Sequence, residues 1–270
     1  MTLPATLTSL TNPRVKAAVR LRDRREREST GLTIVDGVRE LGRALDAGVD
    51  VLEAFVADGL VRTSEARDVV GRLSGTIGFT SVSEAVIDKL AFGDRSDGVV
   101  AIVRSPSTAL GPVLDLLPPD PLVVVVEAVE KPGNLGAILR TADGADADAV
   151  IAADARTDLF NPNAIRASLG TIFALPVAAA PSGEVLERLA SAGARILAAR
   201  VDADGLYTEA DLRGPLAVVL GSEAEGLTSA WDDPRVEPVR IPMRGAADSL
   251  NVSVAAAVLL YEAVRQRAAG

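Results

Sequence analysis

The chain has 270 residues, of which 48% are hydrophobic and 24% charged, values typical of a folded globular protein with one large or two smaller domains. It contains no Cys and no His, which excludes disulfides, thiolate or imidazole metal sites, cysteine nucleophiles and Ser-His-Asp triads. Catalysis would therefore use carboxylates, amides, hydroxyls, Lys, Arg, backbone groups or a cofactor, and we expect no metal.

The net charge of −9 argues against nucleic-acid binding, but the charge is unevenly distributed. Residues 1–27 carry +5 and the remainder −14. The cations of this segment are Arg14, Lys16, Arg20, Arg22, Arg24, Arg25 and Arg27. Two interpretations remain open, namely contacts to RNA phosphates and i,i+4 ion pairs on a solvated helix.

Helical and strand patterns alternate over the first hundred residues, which predicts a small α/β domain over 1–104. The predicted helices cover 13–27, 38–47, 64–73 and 83–90, and the predicted strands cover 32–35, 51–56, 76–80 and 99–103. Residues 105–121 are rich in Pro and Ser and are interpreted as a linker.

Residues 122–270 form a second predicted domain. It opens on the continuous apolar run 122–126, typical of a strand covered on both faces. Further strands are predicted at 149–152, 195–199, 216–220 and 236–241, and a last helix at 251–268. The pattern predicts an α/β fold with a parallel sheet. No apolar stretch resembles a signal peptide or a membrane span, so we expect a cytoplasmic protein.

The first chemical motif, 130–141, directly follows the strongest strand. Gly133 and Gly136 favour a tight turn at a helix N-terminus, a place suited to anions and ligands. The motif fits neither the dinucleotide fingerprint nor the P-loop. The alternative is an ordinary turn in which Asn134 caps the helix and Arg140 is solvated.

Two further motifs lie at predicted strand ends, where parallel sheets bind ligands. One is 220–227, for which the alternative is a turn capped by Ser222 and Glu223. The other is 241–253, in which Ser249 or Asn251 is also suited to cap the last helix.

Taken together, these motifs resemble the SpoU (TrmH) family of RNA 2′-O-ribose methyltransferases. The resemblance rests on N-L-G-A-I-L-R-T-A at 134–142, L-G-S-E-A-E-G-L at 220–227, and I-P-M at 241–243 followed by S-L-N-V-S-V-A at 249–255. Residues 158–170 also look like the segment that follows the first motif in this family. Residues 10–16 and 98–103 are similar to the L30e-like RNA-binding domain that many members carry.

The resemblance implies a SPOUT domain with a trefoil knot, S-adenosylmethionine as cofactor, and a homodimer with its site near the subunit interface. The implied cofactor-binding positions are Ala199, Gly221, Ile241, Met243 and Leu250. The implied catalytic positions are Asn134, Arg140, Glu223, Ser249 and Asn251. In this family the arginine is the proposed base or activator of the ribose hydroxyl. Because a guanidinium stays protonated in proteins, we favour orientation and electrostatic stabilisation for Arg140, and pairing with a cation for Glu223.

The implied function is 2′-O-methylation of structured RNA, with 23S ribosomal RNA favoured by the two-domain layout. Further candidate phosphate contacts are Arg39, Arg95 and Arg166. Aromatic residues make up only 3%, which favours recognition of RNA shape and backbone over base stacking. The alternatives are a tRNA methyltransferase, a catalytically inactive ribosome-assembly factor, and an enzyme acting on a small nucleotide.

Overall fold

The computed structural model describes residues 6–92, 96–223 and 225–269. Its contacts divide the chain into two compact units. Unit 1 comprises Met1–Pro106 and Phe160–Ala174, and unit 2 comprises Ser107–Leu159 and Leu175–Gly270. The division after Pro106 is close to the expected one, but 160–174 belongs to unit 1 instead of the second domain. Residues 105–121, expected to be an irregular linker, contain the helix Leu110–Asp115.

Unit 1 is a four-stranded sheet with helices. Its strands are β1 (Leu32–Asp36), β2 (Val51–Val56), β3 (Thr80–Ser81) and β4 (Val99–Arg104). Its helices are α1 (Pro13–Arg20), α2 (Arg24–Thr30), α3 (Val38–Asp46), α4 (Ser64–Thr76), α5 (Glu84–Leu90), α8 (Pro162–Ala167) and α9 (Thr171–Ala174). The sheet order is β1-β4-β2-β3, with β4 antiparallel to both neighbours and β3 parallel to β2. Apolar residues of α1 and α5, including Val15 and Val86, share a core with Ile34 and Phe55 of the sheet.

Two local predictions for unit 1 were wrong. The expected continuous helix over 13–27 is two helices, because Asp23 caps a new one by accepting a hydrogen bond from the Arg25 amide at 2.8 Å. The strand expected over 76–80 is shorter and later, at Thr80–Ser81 (β3), because the helix α4 continues to Thr76.

The segment 160–174 lies between two stretches of unit 2 in the sequence, but it packs as part of unit 1. The Thr33 hydroxyl on β1 donates to the Phe160 carbonyl at 2.7 Å. Gly170 has φ +81° and lies against α3, where an added Cβ would stand 2.8 Å from Glu40 Cα. A side chain at this position would therefore clash with backbone as well as strain the turn.

Unit 2 is a six-stranded parallel sheet. Its strands are β5 (Leu122–Glu127), β6 (Ala149–Ala153), β7 (Val177–Ala180), β8 (Arg195–Ala199), β9 (Leu216–Leu220) and β10 (Val236–Val239). Its helices are α6 (Leu110–Asp115), α7 (Pro132–Gly144), α10 (Ser182–Ser191) and α11 (Val252–Ala268). The predicted parallel sheet is confirmed, although its last strand ends at Val239 instead of residue 241. Among the described helices, none is both long and apolar enough to cross a bilayer.

The strand order β10-β8-β9-β5-β6-β7 places a topological switch between β9 and β5. In register, Leu220 at the end of β9 lies between Ala199 of β8 and Val126 of β5. Three strand ends therefore meet at one edge of the sheet, beside a switch point where open α/β sheets bind ligands.

Candidate functional site

A cleft of about 480 Å³ opens at this edge of unit 2. All five residues expected to bind the cofactor line it: Ala199, Gly221, Ile241, Met243 and Leu250. The cleft is of the size that encloses a small ligand, and its aliphatic walls stand beside open backbone groups and polar side chains. The motifs at 220–227 and 241–253 come together here because they follow β9 and β10 at the same edge of the sheet.

The loop after β9 has little room for side chains. Ser222 and Gly226 exchange two backbone hydrogen bonds of 3.0 and 3.1 Å, which fold the loop back on itself. A Cβ on Gly221 would lie 2.2 Å from the carbonyl carbon of Gly226. Glycine at position 221 is therefore required by contact with backbone. In the part of the chain that the structure describes, Ser222 and Glu223 cap no helix, since the next element is the short 3₁₀ turn Ser229–Trp231, which Thr228 caps. Ala224 lies outside the described residues.

A polar cluster joins the first motif to the other two. The Asn251 amide donates to Glu223 Oε1 at 2.5 Å and lies 3.4 Å from Asn134 Oδ1. Lys131 Nζ donates to Glu223 Oε2 at 2.8 Å. The hydrogen bond from Lys131 is the main reason that the pKa of Glu223 is lowered from its ordinary value, and a bond from Asn134 acts in the same direction. Three predicted catalytic residues therefore meet around one carboxylate.

Helix capping was the alternative role for both Asn134 and Asn251, and only Asn251 is a helix cap. Asn251 caps α11, since its Oδ1 accepts a hydrogen bond from the Ser253 amide at 2.9 Å while its Nδ2 reaches Glu223. Asn134 is not a cap, because α7 begins two residues earlier at Pro132. Ser249 is exposed and lines the cleft.

Arg140 lies outside the polar cluster. It is exposed on α7, six residues after Asn134, which places it about 9 Å farther along the helix and on a different face. Within the described residues its guanidinium makes no hydrogen bond or ion pair, and it lines neither the cleft nor the smaller pocket beside Asn134. The described part of the chain therefore does not bring Arg140 to the other predicted catalytic residues.

Sequence reasoning missed several ionic groups around the second-motif loop. Lys131 is one of them. Arg156 is another, and it contacts Glu130 and Glu225 at 2.6 Å each, so it links the first-motif turn to the loop. Glu130 and Lys131 belong to the first motif and Glu225 to the second, but nothing in the sequence pairs Lys131 with Glu223, 92 positions away, or either glutamate with Arg156.

Glu127 was also missed. It is buried at the end of β5 and accepts hydrogen bonds of 2.7 Å from the Ser182 hydroxyl, the Thr228 hydroxyl and the Thr228 amide. These bonds fix the far end of the second-motif loop to the sheet. An acid closing an otherwise apolar strand was the available signal, because a buried carboxylate requires such partners.

Most cations expected to contact RNA are bonded within unit 1. Arg14 pairs with Glu53 and Thr80, and Arg20 pairs with Glu26 at 3.1 Å. Arg22 donates to the carbonyls of Lys89 and Ala91 at the end of α5 and stacks 4.8 Å from the centre of the Phe92 ring. Arg24 forms an i,i+4 pair with Glu28, and Arg27 is buried against the carbonyls at the end of α1.

Arg166 also has an internal partner. It contacts Asp36, whose carboxyl is buried and has a raised pKa because of desolvation, partly offset by the Phe92 amide and by Arg166 itself. In contrast, Lys16, Arg25 and Arg39 are exposed and make no side-chain hydrogen bond or ion pair within the parts of the chain that the structure covers. Arg95 lies outside the described residues.

Comparison with known proteins covers both units. The SpoU rRNA Methylase family model matches residues 121–261, and the MRM3-like substrate binding domain model matches 12–101. The 23S rRNA (uridine(2479)-2'-O)-methyltransferase of Streptomyces viridochromogenes is 34% identical over 262 residues, 93% of this chain and 88% of that protein.

Solved structures are similar over nearly the whole length. An RNA 2'-O ribose methyltransferase has a TM-score of 0.85 and 42% identity, covering 97% of this chain and 99% of the other. An AdoMet-bound rRNA methyltransferase from Sinorhizobium meliloti has a TM-score of 0.86 and 29% identity, covering 97% of each chain.

Proposed function

Since the chain belongs to the SpoU rRNA methylase family, we propose that it transfers a methyl group from S-adenosylmethionine to a ribose 2′-hydroxyl of 23S ribosomal RNA. The observation that carries this proposal is the position of the polar cluster. Asn134 and Glu223 face a small pocket that shares Gly221, Ser222 and Glu223 with the large cleft. A ribose in the small pocket would therefore adjoin a ligand in the cleft. Action on ribosomal RNA also fits a cytoplasmic location.

The residues of the cleft suit S-adenosylmethionine. Ala199, Ile241 and Leu250 offer apolar surface for an adenine ring, and Gly221 exposes backbone groups for hydrogen bonding. When bound, S-adenosylmethionine supplies a methyl group on a sulfonium, which is already an electrophile. The protein therefore has to align the hydroxyl and ease the loss of its proton.

The chain's own residues provide this alignment. The Glu223 carboxylate orients the side-chain amide of Asn251 and contacts that of Asn134, so both amides are held for hydrogen bonding to a ribose. Ser249 offers a hydroxyl from the cleft wall. The guanidinium of Arg140 supplies positive charge near the developing alkoxide, provided that it reaches the cluster.

A homodimer would bring Arg140 to a cluster. On α11, Val254 and Tyr261 are two helical turns apart on one face, and both are about half exposed. The Tyr261 hydroxyl donates to the Gly144 carbonyl at the end of α7, so this apolar face continues onto the helix that carries Arg140. Pairing through the α7 and α11 surface would give each cluster the Arg140 of the other subunit. The trefoil knot implied by the family remains a prediction.

The function is tested with labelled S-adenosylmethionine and ribosomal RNA from a strain lacking the protein. We expect label on one nucleotide of 23S RNA, and no transfer when that nucleotide is supplied as its 2′-deoxy form in a synthetic fragment. Label on a base would refute 2′-O-methylation. Transfer to tRNA alone would support the tRNA alternative, and tight RNA binding without transfer would support an assembly factor.

A further inference from the structure

Lys131 has a position in the site that its structural role does not explain. It precedes the first turn of α7, and its side chain is 72% exposed. Its ammonium is bonded to Glu223, which follows β9 on a different part of the sheet edge. Exposed ion pairs contribute little to stability, so holding the fold together is a weak reason for this contact.

The groups around Glu223 indicate the role of the Lys131 ammonium. One carboxylate oxygen accepts from Asn251 and the other accepts from Lys131. The neighbouring charged groups on the first-motif turn and on the loop, Glu130 and Glu225, are both acidic and both contact Arg156. The hydrogen bond and charge of Lys131 lower the pKa of Glu223 and outweigh desolvation, which raises it, so the ammonium extends the ionised carboxylate to lower pH.

We propose that Lys131 is a positioning residue of the methylation site, which keeps the Glu223 carboxylate ionised and directed at the two asparagine amides. The inference rests on the proposed function, since it assigns Lys131 to the site that performs the transfer. A protonated Glu223 would lose an acceptor position to its own proton, and the amides of Asn251 and Asn134 would lose their common anchor.

The pH dependence follows from the direction of the pKa shift. The Lys131 hydrogen bond lowers the pKa of Glu223, so the carboxylate persists to lower pH than it would alone. Removing the ammonium raises that pKa. The acidic limb of the pH profile of kcat then moves to higher pH, while activity above the limb changes less.

The experiment compares Lys131→Met with Lys131→Arg in the full-length protein. Methyl transfer is measured against pH with saturating S-adenosylmethionine and RNA. The Glu223 carboxyl is titrated separately by carbon NMR, with its signal identified by its loss in Glu223→Gln. We expect both midpoints to move to higher pH in Lys131→Met and to return toward wild type in Lys131→Arg.

Two controls separate this effect from general charge loss. Arg235→Met removes one positive charge from a pair with Glu187 and Asp233, and should leave both midpoints unchanged. Arg156→Met releases the same loop without removing the Lys131 contact, and should move the Glu223 midpoint less than Lys131→Met.

Unchanged midpoints in Lys131→Met would overturn the proposal. A raised KM for RNA with an unmoved acidic limb would also overturn it, because Lys131 would then contact RNA instead of acting through Glu223. If the wild-type protein transfers no methyl group to any RNA, the proposed function fails. The carbon titration still reports separately whether Lys131 controls Glu223.

Discussion

The edge of the unit 2 sheet and the cationic segment of unit 1, residues 14–27, differ in how well the sequence predicts the surroundings of their side chains. At the sheet edge, residues from three separate motifs line one cleft or meet in one cluster. In the cationic segment, most of the expected RNA contacts are bonded to the unit's own carboxylates and carbonyls. Backbone topology fixes where a strand-end residue lies, whereas the availability of a cation for RNA depends on bonding partners that its own segment of sequence does not reveal.

The arginines of unit 1 show where such charges go. Arg22 binds the carbonyls of Lys89 and Ala91 at the end of α5, and Arg27 binds those of Leu21 and Arg22 just after α1. The last carbonyls of a helix lack partners within the helix, and they attract positive charge. An arginine near a helix end is therefore well suited to a structural role, and counting it as an RNA contact overestimates the binding surface.

The largest expected effect tests the sheet edge directly. Gly221→Ala places a Cβ against the backbone of Gly226, so the loop has to move and the cleft wall moves with it. We expect loss of measurable S-adenosylmethionine binding by calorimetry, and with it loss of methyl transfer. Gly245→Ala is the matched control, since a Cβ at that position meets nothing within 4 Å. Normal cofactor binding by Gly221→Ala would show that the loop does not shape the site.

The second-largest expected effect concerns Arg140, the predicted catalytic residue that lies outside the polar cluster. Arg140→Ala should reduce methyl transfer by at least about a hundredfold, because a positive charge near the reacting oxygen is lost. Cofactor binding should be retained, since Arg140 does not line the cleft. Near wild-type transfer would mean that the role assigned to Arg140 is wrong.

Mixing inactive subunits tests how Arg140 reaches the cluster. Arg140→Ala and Glu223→Gln are dissociated, combined in equal amounts and reassociated. If Arg140 acts across a dimer, about a quarter of all sites regain both intact residues, because half the dimers are mixed and each has one complete site. No recovery in demonstrably mixed dimers would place Arg140 in the same subunit as its cluster.

A third effect falls on stability. Glu127→Gln replaces an acceptor that receives three hydrogen bonds by an amide that can accept fewer. We expect unit 2 to lose about 1–3 kcal/mol of unfolding free energy in denaturant titration. The exposed Glu187→Gln, which only loses a surface pair with Arg235, should change stability much less. Equal losses in the two variants would refute the anchoring role of Glu127.

Much of unit 2 was predictable, and the reasons are local. The run 122–126 is apolar throughout because β5 is covered on both faces, and glycine turns mark the strand ends. The contact between Lys131 and Glu223 was not predictable, since it joins residues 92 positions apart through the order of strands in the sheet. The same limit applies to residues 160–174, whose helical pattern gives no sign that they pack on unit 1.

The smallest expected effect concerns the exposed cations of unit 1. Neutralising Lys16, Arg25 and Arg39 to Gln removes exposed cations whose side chains make no hydrogen bond or ion pair within the described residues, so folding should change little while RNA binding weakens. If each contacts one phosphate, the slope of log affinity against log salt should fall by about 2–3 in total.

The control is the triple variant Arg14→Gln, Arg22→Gln and Arg166→Gln, which removes equal charge but breaks bonds within unit 1. It should lower the melting temperature, partly because buried Asp36 loses its cation, and change the salt slope less. Equal slope changes in the two triple variants would show that paired arginines bind RNA as readily as unpaired ones, since an arginine can exchange a protein partner for a phosphate.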